Sequence, residues 1–178
     1  RLDGNGYNAS MRNPFHQFSP RIALSVGLTK SLFFNANTGI YYQLPPYTLM
    51  GYRENGNLVN QLPGKYIRNT HAVTGLEYNL NAHTKITLEG FFKWYSNYPL
   101  LLRDGISLAN IGGDFGIIGN EPALPESQGK SYGLELLLQQ RFYKGWYGIL
   151  AYTLGKSEFT NGNGDRKSTR LNSSHVSQ

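Results

Sequence analysis

The sequence predicts an all-β protein built from an antiparallel sheet, and two observations predict it. Six segments alternate apolar and polar residues with a period of two, which is the period of a β-strand. The composition agrees, because 21 glycines, 13 tyrosines and 9 phenylalanines in 178 residues are typical of strands joined by many turns. Helical periodicity finds no support anywhere along the chain.

The six predicted strands form three pairs along the chain. They span residues 21–28, 32–43, 69–80, 84–95, 131–142 and 146–157. Within each pair the connection is about three residues long, at 29–31, 81–83 and 143–145. Between pairs the connections are long, over 44–68 and 96–130, and further long segments begin near Gly4 and Glu158. Short and long connections therefore alternate regularly.

This alternation is typical of a transmembrane β-barrel. Soluble domains rarely hold structureless loops of such length at regular intervals. Outer-membrane barrels have short turns at one end, long extracellular loops at the other, and tilted strands of about ten residues. Because bacterial barrels begin at about eight strands, six strands predict a segment of a larger antiparallel transmembrane β-barrel.

The two faces of the predicted strands differ in chemistry. Residues expected to face lipid are Leu24, Leu76, Leu88, Phe92, Leu136 and Leu150. Residues expected to face the lumen are Glu77, Glu89, Lys93, Glu135, Gln139 and Arg141. Aromatic residues at strand ends are expected to form girdles at the two membrane interfaces, and they are Tyr41, Tyr42, Tyr47, Trp94, Tyr95, Tyr98, Phe142, Tyr143 and Trp146.

A soluble β-sandwich or a lipocalin-like barrel remains the main alternative, since its strands also alternate. Its apolar face would point inward, and the aromatic residues would form its core. No apolar run approaches the roughly 18 residues of a transmembrane helix. The absence of cysteine excludes disulfides and cysteine-ligated metals, and the net charge of +6 is too scattered to predict nucleic-acid binding.

Two hairpins resemble those of TonB-dependent outer-membrane receptors. The first, "FSPRIALSVGLTKSLFFNANTGIYYQLPPY" over 18–47, resembles a hairpin in which Ser-Pro-Arg enters one strand and the returning strand ends in Tyr/Phe-x-x-Pro-Pro. The second, "SQGKSYGLELLLQQRFYKGWYGILAYTLGKSEF" over 127–159, is similar to a later hairpin of that family, with Gly-x-Ser-x-Gly-x-Glu followed by Ala-Tyr-Thr. The resemblance covers residues 1–164, which predict a partial receptor barrel.

The resemblance implies a barrel of about 22 strands closed by an N-terminal plug, in the outer membrane of a Gram-negative bacterium. Such receptors bind a scarce extracellular ligand, which is an iron chelate, cobalamin or a glycan. They import it with energy from the TonB complex, which acts through the plug, and neither the plug nor the TonB-contacting segment is found in this sequence. The implied protein is a transporter without a cofactor and not an enzyme. A passive porin, or an adhesin or enzyme on a similar barrel, is the alternative.

No catalytic or metal-binding constellation stands out in the sequence. The histidines His16, His71, His83 and His175 are dispersed and lack metal-ligand spacing. Ligand contacts are expected instead among aromatic and cationic residues of the long loops, which are Tyr47, Tyr52, Arg53, Tyr66, Arg68, Tyr98 and Arg103. These side chains would stack on, or pair with, a glycan or an anionic ligand. Alternatively they pack the loops and anchor them at the interface.

Residues 165–178 are predicted to be a non-native, disordered tail. Translated backwards, "DRKSTRLNSSH" over 165–175 fits a common short-read sequencing adapter, and a polar receptor loop is the alternative. We expect genomic resequencing to show a coding sequence that departs from this one after residue 164. Genomic DNA that encodes these residues continuously with a following barrel strand would refute this origin.

Overall fold

The computed structural model describes residues 9–60, 65–111, 120–162, 164 and 166–177. Its strands are β1 Arg21–Gly27, β2 Leu32–Gln43, β3 Arg53–Glu54, β4 Asn57–Leu58, β5 Ile67–Asn79, β6 Thr84–Leu101, β7 Ile106–Ser107, β8 Ala123–Tyr143, β9 Trp146–Thr160 and β10 Arg166–Ser177. The helices are α1 Ala9–Arg12 and α2 Tyr47–Met50, with 3-10 turns at Pro14–Gln17 and Leu108–Asn110. The all-β prediction is confirmed.

One antiparallel sheet contains all the long strands. They follow the order β1-β2-β5-β6-β8-β9-β10, the short β7 pairs with β6, and β3 and β4 form a separate hairpin. Sequential long strands are therefore neighbours, as in a meander. Within the described residues, β1 and β10 do not pair with each other, so the sheet is open at both edges.

Local hydrogen bonds fix the three short turns. The Thr29 hydroxyl accepts from the backbone N–H groups of Ser31 and Leu32, and the Asn81 side chain accepts in the same manner from two backbone N–H groups. Between β8 and β9 the two loop residues Lys144 and Gly145 both have positive φ, as a two-residue hairpin turn of the primed type requires. These turns set the sheet register.

The long strands β6 and β8 run further than the alternation predicts. Their pairing continues to Leu100 opposite Leu124 and Leu101 opposite Ala123, past register shifts that begin after Tyr95. The predicted loop over 96–130 is therefore wrong at both ends. A bulge breaks the period of two in side-chain direction while backbone pairing continues, which explains why the sequence pattern stopped early.

The chain end differs from the predicted disorder. Arg166–Ser177 forms β10, which pairs with β9 from Arg166 opposite Thr160 to Ser177 opposite Ile149. The physical reason is that β9 would otherwise present a row of unpaired backbone donors and acceptors, and an added strand satisfies them. Residues 165 and 178 lie outside the described part, and the adapter origin of the segment stays a prediction.

The buried core lies at the loop end of the sheet. Leu49 from α2, Leu101 from β6 and Ala123 from β8 form it, and Leu108 and Ile111 pack against them. The regular part of the sheet has no such core on its apolar face, where Leu88 is 47% exposed and Leu134 is 55% exposed. The loops are thus packed while the apolar sheet face is open.

Glycines on the opposite face allow large side chains to lie flat on the sheet. A Cβ built at Gly75 would lie 2.6 Å from Cγ of Glu89, and one at Gly129 would meet the ring of Phe159. A Cβ at Gly133 would meet the carbonyl oxygen of Leu154 and lie 2.8 Å from Cζ of Phe91. This face, which also carries the charged strand residues, is called the polar face below.

Gly133→Ala is expected to lower the free energy of unfolding by about 1–3 kcal/mol, in the range for overpacking. The new methyl group meets backbone atoms of β9, so relief requires that β8 and β9 separate. Urea titration of the refolded protein measures the change. The matched control is Gly148→Ala, where nothing lies within 4 Å of the added carbon. Equal stability of the two variants would contradict this expectation.

Candidate ligand-binding site

A pocket of about 370 Å³ opens at the loop end of the polar face. Its walls combine aromatic rings with polar side chains, which are contributed by Tyr41, Asn69, Tyr95, Tyr98, Ser157 and Phe159. Rings offer stacking surfaces, and amide and hydroxyl groups offer hydrogen bonds. The pocket is therefore built for a ligand that has both an apolar face and polar substituents.

The sheet register explains why these side chains meet. Tyr41 lies opposite Asn69, Asn69 opposite Tyr95, Tyr95 opposite Gly129, and Gly129 opposite Phe159. Residues directly opposite in an antiparallel pair share one face. Because Gly129 has no side chain, the ring of Phe159 lies across it and approaches the ring of Tyr95, with 5.3 Å between centroids.

A bulge in β6 brings Tyr98 to the same side as Tyr95. The register shifts between these residues, and Asn97 between them has φ 57°, while its side-chain amide donates to the carbonyl oxygen of Tyr66 at 3.3 Å. The Tyr98 ring lies edge-on to Tyr95 at 6.2 Å and 4.9 Å from Phe159. Such bulges re-aim side chains, and this one completes an aromatic cluster.

A row of cationic and aromatic side chains borders the pocket. Cζ of Arg21 lies 4.3 Å from the ring centroid of Tyr41, and the Tyr41 ring stacks on His71 at 4.4 Å. Lys93 lies directly opposite His71 on the neighbouring strand. Gly39 makes this stack possible, since a Cβ there would lie 3.0 Å from both Cγ of Arg21 and Cε2 of Tyr41. Arg21 and Lys93, which lie on either side of His71 along this row, are called the cation row below.

The two cations of the cation row differ from Lys130 and Lys156, which also lie near the loops, because they have no carboxylate partner among the described residues. Within the described residues, no ion pair involves Arg21 or Lys93. By contrast, Glu158 accepts from Lys156 at 2.5 Å and from Lys130 at 3.1 Å. Hydrogen bonds from Lys156 and then Lys130 lower the pKa of Glu158. Those two lysines thus share one carboxylate within the protein.

Tyr98 lies on the loop side of the β6 bulge, and burial raises the pKa of its phenol. The phenol therefore stays protonated at neutral pH and can donate a hydrogen bond into the pocket. Asn69 adds a complementary acceptor, because its Oδ1 is buried and has no hydrogen-bond partner among the described residues. A buried unpaired acceptor is costly, and a ligand donor would remove that cost.

Of the seven predicted ligand residues, the structure brings Tyr98 into this pocket. Tyr66 lines a separate depression of about 220 Å³, together with Tyr42 and Asn97. Arg53 donates from Nη1 to the carbonyl oxygen of Gly56 and closes the β3–β4 hairpin. The remaining four line neither space, and they are Tyr47, Tyr52, Arg68 and Arg103.

Sequence reasoning missed Tyr41 and Tyr95 as site residues, because both were assigned to the aromatic girdle. The structure places both rings on the polar face, which is opposite the face that the sequence predicts to contact lipid. The alternation contained the signal, since Tyr95 has the same phase as Lys93. Asn69, Ser157 and Phe159 carry no sequence motif that marks a ligand site, and they are found only from the strand register.

The predicted lumen-facing residues share the polar face. Glu77 pairs with Lys85 at 3.2 Å, while Glu89 lies directly opposite Glu135. Gln139 and Arg141 follow on β8 in the same phase. Acids therefore concentrate toward the turn end of this face, and the cation row lies toward the loop end.

Neither a metal-binding cluster nor a membrane-spanning helix occurs in the described part of the chain. It contains no group of three or more histidine, aspartate or glutamate side chains that could hold a metal ion. No helix in the described ranges is long and apolar enough to cross a membrane. Comparison with protein families, with curated proteins and with solved structures finds no match to this chain.

Proposed function

We propose that this chain is part of a TonB-dependent outer-membrane receptor that binds a scarce extracellular ligand and imports it. In this proposal the strands cross the membrane between the short turns and the aromatic ends. The loop-end parts of three strands lie outside the membrane on the extracellular side, together with the long connections. These parts are residues 96–101 of β6, 123–130 of β8 and 158–160 of β9. The apolar face contacts lipid and the polar face lines the lumen.

The observation that carries the proposal is the arrangement of the two sheet faces. Leucines of the apolar face are exposed on several strands, where Leu24 on β1 is 54% exposed, Leu76 on β5 42% and Leu154 on β9 47%. On the polar face, by contrast, Thr87 is buried and Glu77 and Glu89 are half-buried. A soluble sandwich needs the opposite order, with the apolar face covered. Lipid is the solvent that fits an exposed apolar sheet.

The asymmetry of the connections supports the same orientation. All three tight turns lie at one end of the sheet, and the packed loop core with α2 and β7 lies at the other. Barrels of the outer membrane have this asymmetry, with the long loops outside. The candidate pocket lies at the loop end, where an extracellular ligand would enter.

Fractionation and uptake assays of the complete protein test the proposal. We expect it in the outer-membrane fraction, folded as a barrel that migrates differently in SDS gels before and after heating. Deletion of its gene, or of the gene for TonB, should abolish accumulation of the ligand to the same extent. Uptake that persists without TonB would favour a passive porin, and a protein purified without detergent would favour the soluble alternative.

A further inference from the structure

The cation row lacks the counter-charge that a lumen wall ordinarily supplies. The described acids on the polar face, Glu77, Glu89 and Glu135, lie toward the turn end, and none forms an ion pair with Arg21 or Lys93. A surface of one sign with low-dielectric walls attracts ligands of the opposite sign. The loop end of the polar face therefore favours an anion.

The spacing of the cations indicates a ligand with more than one anionic group. Arg21 on β1 and Lys93 on β6 belong to one cross-strand row and are three strand spacings apart. At about 4.8 Å per spacing, their backbones are about 14 Å apart. A single carboxylate cannot bridge that separation, whereas a chain of acidic rings can place one charge at each cation.

The pocket indicates what lies between the charges. Tyr41 contacts Arg21 of the cation row and also lines the pocket wall, so a ligand bound at the cations lies beside the rings of the pocket. The unpaired Oδ1 of Asn69 requires a hydrogen-bond donor. Carboxylates and sulfates lack one, but sugar hydroxyls supply it. Sugars also present an apolar ring face to tyrosine and phenylalanine.

We propose that the pocket and the cation row together bind an acidic oligosaccharide, with a sugar ring against Tyr95 and acidic groups on Arg21 and Lys93. The Asn69 carbonyl accepts from a sugar hydroxyl, and the Tyr98 phenol donates to a ring substituent. This inference rests on the proposed function, since it takes the polar face as a lumen wall open to extracellular ligands at the loop end.

Calorimetric titration of the complete protein in detergent tests the site, with tetragalacturonic acid as the acidic probe and maltotetraose as a neutral probe. We expect the acidic probe to bind at least tenfold more tightly at low salt, with an affinity that falls as salt rises. Arg21→Gln combined with Lys93→Gln should reduce its affinity by tenfold or more, since each cation contributes a charge-assisted hydrogen bond. The matched control Arg141→Gln changes a cation of the same face at the turn end and should bind as wild type.

Heat-dependent migration in SDS gels shows whether each variant is folded, and Asn69→Asp adds a second measurement that leaves the cations in place. Its carboxylate should lower affinity for the acidic probe more than for maltotetraose. Any one of three results would overturn the inference. The first is equal affinity for both probes, and the second is unchanged binding by the double variant. The third is tighter binding of phthalate, a dianion without sugar rings, than of tetragalacturonate. Binding as expected without TonB-dependent uptake would reject the proposed function alone.

Discussion

Leu88→Arg should destabilise the barrel proposed above by roughly 2–4 kcal/mol, the cost of a cationic side chain on a face that contacts lipid near the bilayer midplane. Leu88 lies in the middle of the row that runs from Leu76 on β5 to Leu136 on β8. Leu88 is 47% exposed. The residues directly opposite it, Leu76 and Leu136, carry no charge that could offset that of an arginine. Urea titration of the protein refolded into lipid vesicles measures the loss.

Glu89→Gln is the matched control, since Glu89 is the next residue of β6 and points to the opposite face. Its carboxylate lies across from that of Glu135, and like charges directly opposite in a sheet destabilise it. Removal of one charge should therefore change the free energy of unfolding far less than Leu88→Arg does. If Glu89→Gln proved the more damaging substitution, the assignment of the two faces would be inverted.

The strands and their faces could be predicted because the alternation is a local property. In 32–43, for example, the alternate residues from Leu32 to Tyr42 are apolar or aromatic except Thr38, and the predicted bounds coincide with those of β2. Likewise Thr29, Asn81 and the Lys144-Gly145 pair mark turns through side-chain or backbone chemistry that a few residues contain. The turn positions follow directly from these residues.

Features that depend on register or on loop packing could not be predicted from the period of two. Asn55-Gly56 lies within a predicted loop, yet its two positive φ angles close the β3–β4 hairpin; this dipeptide is a strong hairpin signal that the long loop obscured. The bulge at Asn97 hid the extension of β6. The cation row joins β1 to β6 across 72 residues, from Arg21 to Lys93, and becomes visible only once the strands are paired.

The loop core depends on one buried amide, that of Asn60. Its Nδ2 donates to the carbonyl oxygens of Leu49 at 2.8 Å and of Glu121 at 3.0 Å, and its Oδ1 accepts from the N–H of Ala123 at 2.7 Å. The side chain is 8% exposed. One residue thereby ties the first long connection, the second long connection and the start of β8 together. The Leu49 carbonyl oxygen also accepts from the N–H of Tyr52 at 3.3 Å, so the groups that depend on Asn60 are the carbonyl of Glu121 and the N–H of Ala123.

Asn60→Ala should lower the free energy of opening of this loop region by about 2–4 kcal/mol, because the carbonyl of Glu121 and the N–H of Ala123 lose their partner and each unsatisfied buried group costs about 1–3 kcal/mol before water reaches it. Hydrogen exchange at the amide of Ala123 measures the local opening directly.

The control Asn57→Ala removes an exposed amide of β4, in the same connection, and should leave exchange at Ala123 unchanged. Among the described sheet strands, only the start of β8 forms a hydrogen bond with Asn60. Exchange in β2 and β5 should therefore be unaffected in both variants. Protection at Ala123 that survives Asn60→Ala would show that apolar contacts of Leu49 and Leu101, rather than this amide, hold the loops together.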